Sequence, residues 1–296
     1  MGIWDALRGL FAGKGKDGTL TFEELARRLG LGADELRAVR ATYTEFEVAK
    51  RSGGTRPIAE PSRPLKRVQR LVLRRLLGKL RAHPAAHGFE RGRSIVTNAR
   101  LHAGKRVVLR LDLEDFFGSI KAGRVETYFR RVGWDGEAAS LLARICTHRG
   151  SLPQGAPTSP RLSNLVNFRL DSRLAALARR FGADYTRYAD DLTFSFAEDS
   201  SAAYRVVLSA VRKIVAEEGY RLHTRKKLRV SRRHRRQTVT GLVVNVRASL
   251  PRETRRWLRA VEHRARTGRE TTLTPAQLAG WRALRAMVDY PPGGRN

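Results

Sequence analysis

The chain has 296 residues, 41% of them hydrophobic, and its 59 Lys and Arg outweigh 28 Asp and Glu to leave a net charge of +31. These numbers exclude wholesale disorder and leave room for one large domain, or two to three subdomains, with ample core. No apolar stretch reaches membrane-span length, the start lacks a signal peptide's apolar core, and the single Cys146 excludes an internal disulfide, so the expected location is a reducing cytoplasm with no membrane partner.

In chain order, TFEELARRLGLGADELRAVR (21–40) reads as two short helices, opened by a Thr21/Glu24 capping box and separated at Gly30 and Gly32. A packing element is the better reading than a DNA-reading helix-turn-helix. Residues 43–62 carry Tyr43, Phe46 and Val48 ahead of a KRSGG turn, the pattern of a hairpin, with Lys50 and Arg56 bracketing the turn. Leu65, Val68, Leu71, Val72, Leu76 and Leu80 mark one amphipathic helix over 65–80. RVVLRLDLEDFFGSI (106–120) opens with a strand. Its Val107, Leu109, Leu111 and Leu113 face one way, and Val108, Arg110 and Asp112 the other.

A Pro- and Gly-rich loop from Ser151 then feeds one long helix, with Ser159 as cap, Pro160 as first helical residue and Gly182 as stop. DYTRYADDLTFSF (184–196) reads as a hairpin with Asp190 and Asp191 at its centre. A helix over 201–219 follows, and then a basic stretch with nine Lys and Arg between 221 and 236. The apolar TVTGLVVNV (238–246) reads as a strand. From about Pro251 the end is helical and Arg-rich, its last helix opening at Thr274, Pro275 and Gln277.

A chain this basic nevertheless concentrates negative charge at one point, although adjacent like charges repel and Asp is a poor strand residue. The element order implies an α+β fold: an antiparallel sheet with helices on one face and the other face free. A hairpin bearing Asp190 and Asp191 beside a strand bearing Asp112 brings three carboxylates together on that free face. Singly, an Asp pair is usually a turn and Asp112 a strand-terminal residue. Together they call for hard divalent cations: oxygen ligands suit Mg²⁺, and two ions about 4 Å apart activate an attacking hydroxyl and stabilise a leaving phosphate. The remaining positive surface suits polyanions, whose binding gains from counterion release.

At these residues the sequence resembles a reverse transcriptase. YADD (188–191) is similar to the family's central aspartate motif, LDLEDFF (111–117) to its first aspartate motif, and LPQGAPTSPRLSN (152–164) to its Gln-Gly motif. Two further stretches resemble the bacterial retron-type subfamily: Asn98-Ala99 followed by His102, and Val239-Thr240-Gly241. The chain departs from the pattern at Glu114, where Lys is common, and at HTRKK (223–227), which replaces the usual Asn-x-x-Lys-Thr.

The resemblance implies a right-hand polymerase: an N-terminal helical extension (1–42), fingers (43–106, with part of 148–165), a palm whose antiparallel sheet is backed by helices (107–235), and a palm–thumb junction with a small helical thumb (236–296). It implies that Asp112, Asp190 and Asp191 hold two Mg²⁺ ions. Lys50 and Arg56 would grip the incoming triphosphate, Phe117 would lie under the sugar and exclude a 2′-OH, and Gln154 would contact the nucleotide. Lys226 would be the late-palm lysine, Tyr188 would touch the primer end, and Asn98, His102, Val239, Thr240 and Gly241 would serve RNA recognition. The implied reaction is RNA-templated DNA synthesis from dNTPs on a cognate structured noncoding RNA, primed from a 2′-OH to give branched RNA–DNA, in an anti-phage role with a separate effector protein. No second acidic cluster follows the palm, so a host RNase H would remove the template from the cDNA. A group II intron-like or diversity-generating reverse transcriptase is the enzyme alternative, and a polymerase-derived RNA-binding module the non-enzyme one.

Overall fold

The computed structural model describes residues 19–50, 53–223 and 228–290. It opens with two helices, α1 (Phe22–Leu29) and α2 (Ala33–Arg37), which bury Phe22, Leu25, Leu29 and Leu36 in the main core and so act as packing elements. Thr21 caps α1 by accepting the Glu24 N–H. The reciprocal half of the expected capping box is missing because the Glu24 carboxylate accepts from Arg27 and Arg28, at 2.6 Å each. A hairpin follows, β1 (Tyr43–Ala49) against β2 (Thr55–Pro61). Helix α3 (Arg63–Arg75) is shorter than its periodicity predicts. Leu76 caps it with its N–H on the Val72 carbonyl, a 3₁₀ turn spans Leu77–Lys79, and Leu76, Leu77 and Leu80 all reach the core.

Helix α4 (Ile95–Leu101) precedes β3 (Val107–Asp112), α5 (Ala122–Arg131) and α6 (Gly136–Cys146). The long helix expected after the Pro- and Gly-rich loop is two, α7 (Ser159–Val166) and α8 (Phe168–Arg180), with Ser159 as the first helical residue rather than the cap. Asn167 makes the break. Its amide donates back to the Ser163 carbonyl at 2.8 Å, while its oxygen accepts from Arg124 and from the Tyr220 hydroxyl. A side chain that bonds locally in this way competes with helix continuation.

Strands β4 (Ala183–Tyr188) and β5 (Asp191–Phe196), helix α9 (Ser201–Glu217) and strand β6 (Arg229–Arg232) complete an antiparallel sheet of order β4-β5-β3-β6. One face presents Val107, Leu109, Leu111, Leu192 and Phe194 to the helices that carry Leu170, Leu174, Val207 and Val211, and these form the main core. Strand alternation predicts that face correctly.

The opposite face is not free along its whole length. Val108 packs into a second core with Val96 and Ala99 of α4 and with Val239, Leu242, Val244 and Leu250. The same cover buries Thr186, Thr193 and Ser195. The end that carries Asp112 and Asp191 stays partly open. Nor is 238–246 one strand: β7 (Thr238–Val239) and β8 (Leu242–Val243) form a minimal hairpin. Thr240 and Gly241 at its tip have φ of 45° and 83°, and two positive φ values are the mark of a type I′ turn. Helices α10 (Arg252–Arg266) and α11 (Pro275–Asp289) close the described chain, pairing through Leu258, Val261 and Leu278. Thr274 and Gln277 form the expected capping box of α11. Among the described residues, no helix is long and apolar enough to cross a membrane.

Candidate active site

Asp112 is the last residue of β3 and Asp191 the first of β5, and the antiparallel register sets them directly opposite each other. Opposed residues in such a pair have Cβ atoms roughly 5 Å apart, so two carboxylates meet at one sheet end. The two-residue loop Ala189–Asp190 joins β4 to β5, with Tyr188 paired to Asp191. Ala189 has φ of +56°, an uncommon state for a residue with a side chain. The Asp190 carbonyl accepts the Leu113 N–H at 2.9 Å, which ties the turn to the residue after Asp112. Strand pairing therefore sets Asp112 opposite Asp191, and one main-chain bond ties Asp190 to the residue after Asp112.

The carboxylates have basic neighbours that sequence reasoning passed over. Arg110 lies on the same face two residues before Asp112; it is ion-paired to Asp191 and donates to the Thr238 carbonyl at 3.4 Å. His223 lies 3.8 Å from Asp112 and 3.4 Å from Glu114. Its main-chain N–H also donates to the Asp112 carbonyl. The alternation Val108–Arg110–Asp112 was the available signal for Arg110.

Two close backbone approaches frame the turn. Residues 85–88 run beside β4, with His87 N–H donating to the Arg187 carbonyl and Arg187 N–H to the Ala85 carbonyl. A Cβ on Gly88 would stand 2.7 Å from the Ala189 nitrogen, so only glycine fits there. The Gln-Gly loop docks on β2, where the Gln154 carbonyl accepts the Ala59 N–H at 2.8 Å. Gly155 has φ of +122° and would bring a Cβ within 2.7 Å of the Ala59 oxygen. This approach brings the half-buried Gln154 next to the strand that carries exposed Arg56. Lys50, exposed, donates its N–H to Gly54 across the β1–β2 turn. Phe117 is half-buried, edge-on to buried Phe116 with centroids 5.2 Å apart. Lys226 lies outside the described residues.

The residues expected to recognise RNA are divided. Asn98, His102 and Val239 are fully buried, so direct RNA contact by these three side chains is corrected to a role inside the scaffold. His102 bridges the hydroxyls of Ser195 at 2.7 Å and Thr186 at 2.8 Å, pinning α4 to β4 and β5. Burial pushes its imidazole down to about 3, so the ring is neutral. Asn98 finds no hydrogen-bond partner for its amide among the described residues. Thr240 donates to the Ile95 carbonyl at 2.8 Å and is half-buried, while Gly241 is exposed at the hairpin tip.

The donor chemistry at the open end fits a divalent ion. Asp112 and Asp191 offer hard carboxylate oxygens with side chains 15% and 18% exposed, reachable yet partly desolvated. Among the described residues no three His, Cys, Asp or Glu side chains are grouped closely enough to hold a metal ion as they stand. Arg110 supplies the counter-charge to Asp191 instead.

Residues 48–244 match the family described as reverse transcriptase (RNA-dependent DNA polymerase), and the chain belongs to that family. It is an RNA-directed DNA polymerase, of a family that uses divalent metal ions, and its relatives place it with the retron enzymes. It is 43% identical to the retron Mx65 reverse transcriptase of Myxococcus xanthus, over 91% of this chain and 68% of that one. The retron Mx162 enzyme of the same organism is 40% identical over 92% of this chain and 64% of its own length. The retron Ec86 reverse transcriptase of Escherichia coli is 38% identical over 79% and 72%.

Proposed function

We propose that this chain copies part of a structured noncoding RNA into DNA, starting from a 2′-OH of an internal guanosine in that RNA, so that the product is branched RNA–DNA. The observation that carries this reading is the register pair Asp112–Asp191 beside the Ala189–Asp190 turn, at the partly open end of the sheet. Asp112, Asp190 and Asp191 would hold two Mg²⁺ ions. When bound, these activate an attacking hydroxyl and stabilise charge on the leaving phosphate. Tyr188, at the base of the turn, would touch the primer end. Arg56 and Lys50, on the exposed β1–β2 hairpin, would grip the triphosphate, Gln154 would orient the nucleotide, and Phe117 would close off the space a 2′-OH needs.

In this reading the fingers are 43–106 with part of 148–165, the palm 107–235, and the palm–thumb junction and thumb 236–296, after a helical extension. Generic attraction for RNA phosphates is supported by the exposed Arg232, Arg233, Arg235 and Arg236. A cleft between α1 and α3 adds Arg27, Arg28, Arg74, Arg75 and Lys79. A host RNase H would remove template RNA, and a separate effector would couple the product to phage defence.

Primer extension on an RNA template with Mg²⁺ and dNTPs tests the reading. Asp190→Asn should abolish synthesis and leave RNA affinity nearly intact, because the carboxylate holds metal rather than backbone. Synthesis above about a tenth of the wild-type rate, a loss of under roughly 1.4 kcal/mol in barrier, would sink the carboxylate assignment.

A further inference from the structure

Arg187 sits one residue before Tyr188, on the core side of β4, and is 0% exposed. Its guanidinium meets Asp171 of α8 through two bonds, Nε to Oδ1 at 2.8 Å and Nη2 to Oδ2 at 2.6 Å. Asp171 is also 0% exposed and accepts the Tyr185 hydroxyl at 2.9 Å. The remaining arm, Nη1, donates to the side-chain oxygen of Asn164 at 3.0 Å and to the Ala189 carbonyl at 3.2 Å. Asn164 in turn donates to the Gly88 carbonyl and to Glu90, both at 2.7 Å. Glu90 is ion-paired with Arg161. One buried fork thus reaches the carboxylate-bearing turn, the last residue of the Gln-Gly stretch, and through it the segment pressed on the turn from the other side.

A buried ion pair is weak evidence for stability, since an apolar pair of similar volume often serves as well or better. Its planar, fixed geometry is what an apolar pair cannot reproduce. Here that geometry is spent on Ala189, whose left-handed backbone sets the direction in which Asp190 and Asp191 leave the turn. We propose that Arg187, oriented by Asp171 and Asn164, is a positioning residue for the metal-holding carboxylates: it fixes the Ala189 carbonyl and thereby the aim of Asp190 and Asp191. The inference rests on the reading of those aspartates as metal ligands.

The test is the paired variant Asp171→Leu with Arg187→Met, which removes both buried charges together. Thermal unfolding and RNA affinity should stay near wild type. The rate of dNTP incorporation at saturation should fall about 10²-fold, as for a misplacement of about 1 Å, with little change in KM for dNTP. The Mg²⁺ concentration giving half of the metal-induced rise in Tm should increase several-fold, and the Leu113 amide, bonded to the Asp190 carbonyl, should exchange faster. Synthesis within about twofold of wild type, with unchanged Mg²⁺ dependence, overturns the proposal.

Should the pair fail to fold, Arg187→Lys decides. A Lys keeps the charge beside Asp171 but cannot hold Asp171, Asn164 and Ala189 at once. It should lose at least tenfold in rate at unchanged RNA affinity, and a wild-type rate overturns the proposal. A wild-type protein that fails to extend any primer on RNA contradicts the functional reading instead. The clamp is then judged by Leu113 exchange alone: faster exchange in either variant supports it and unchanged exchange overturns it.

Discussion

Arg110 and Asp191 form an ion pair across neighbouring strands, at the sheet end where Asp191 also stands opposite Asp112. The guanidinium gives a cluster of like charges its counter-ion, the part a divalent cation would otherwise play. Arg110→Gln should therefore lower Tm in the presence of EDTA. A partly buried charged hydrogen bond is worth about 1–2 kcal/mol, or roughly 2–6 °C at this chain length. Added Mg²⁺ should recover most of that loss, so the Mg²⁺-induced rise in Tm is larger in the variant than in the wild type. Equal rises in both proteins would show that Arg110 does not substitute for metal.

Phe117 is half-buried beside Phe116, which is 4% exposed and fully part of the core. In the proposed reading this half-buried ring would meet the sugar of the incoming nucleotide. Phe117→Val should admit ribonucleotides, reducing the preference for dNTP over rNTP by about tenfold or more while dNTP extension continues. Parallel extension reactions with the two nucleotide sets measure it. Unchanged discrimination would assign Phe117 to packing and place the sugar filter elsewhere.

His102 and His87 are both held neutral by burial, pushed down to about 3 and about 4. In the unfolded chain each titrates near 6.5. Between these limits the unfolded state binds more protons, so stability rises with pH. The contribution is complete above about 6.5 and is lost as pH falls through that value toward the folded pKa. Stability from urea unfolding should drop between pH 6.5 and 4.5 with a slope containing about 1.4 kcal/mol per pH unit from each ring. His102→Gln, which can keep hydroxyl contacts without titrating, should remove one such share, and an unaltered slope would contradict the burial argument.

The facing of Asp112 was legible in the sequence because strand alternation is rigid: once Leu109 and Leu111 face the core, Asp112 must face away. What covers that second face was not legible from the strand alone. Val108 was the hint, an apolar residue on the polar side, and the alternating hydroxyls of Thr186, Thr193 and Ser195 were waiting for a partner such as His102. The buried Arg187–Asp171 pair left a similar trace. Asp171 is a lone acid in a basic helix, three and seven residues before buried Leu174 and Ala178, and Arg187 shares the inward side of its strand with Tyr185. Each alone resembles an ordinary surface charge. Their inward phase shows only when both elements are phased together. The break at Asn167 and the type I′ turn at Thr240–Gly241 escaped periodicity because single side chains and single φ angles decided them.

RNA choice is the most demanding property for this scaffold, because generic phosphate attraction does not distinguish one RNA from another. Specific recognition needs shape reading or base contacts, typically at stems and unpaired loops. The β7–β8 hairpin suits that task. Val239 is buried against α4, Thr240 is tied to the Ile95 carbonyl, and Gly241 is exposed at the tip. The same segment sits above Arg110, which donates to the Thr238 carbonyl, so an RNA stem on this tip would lie beside the carboxylates. Exchanging residues 237–296 for those of another retron enzyme should therefore change which RNA primes synthesis. Replacing Arg233, Arg235 and Arg236 by Gln should instead weaken all RNAs alike and flatten the salt dependence, by about one unit of log–log slope for each phosphate no longer neutralised. Competition between cognate and non-cognate RNA at two salt concentrations separates the two effects. If the graft leaves preference unchanged, recognition lies elsewhere, and the exposed residues around α4 become the next segment to exchange.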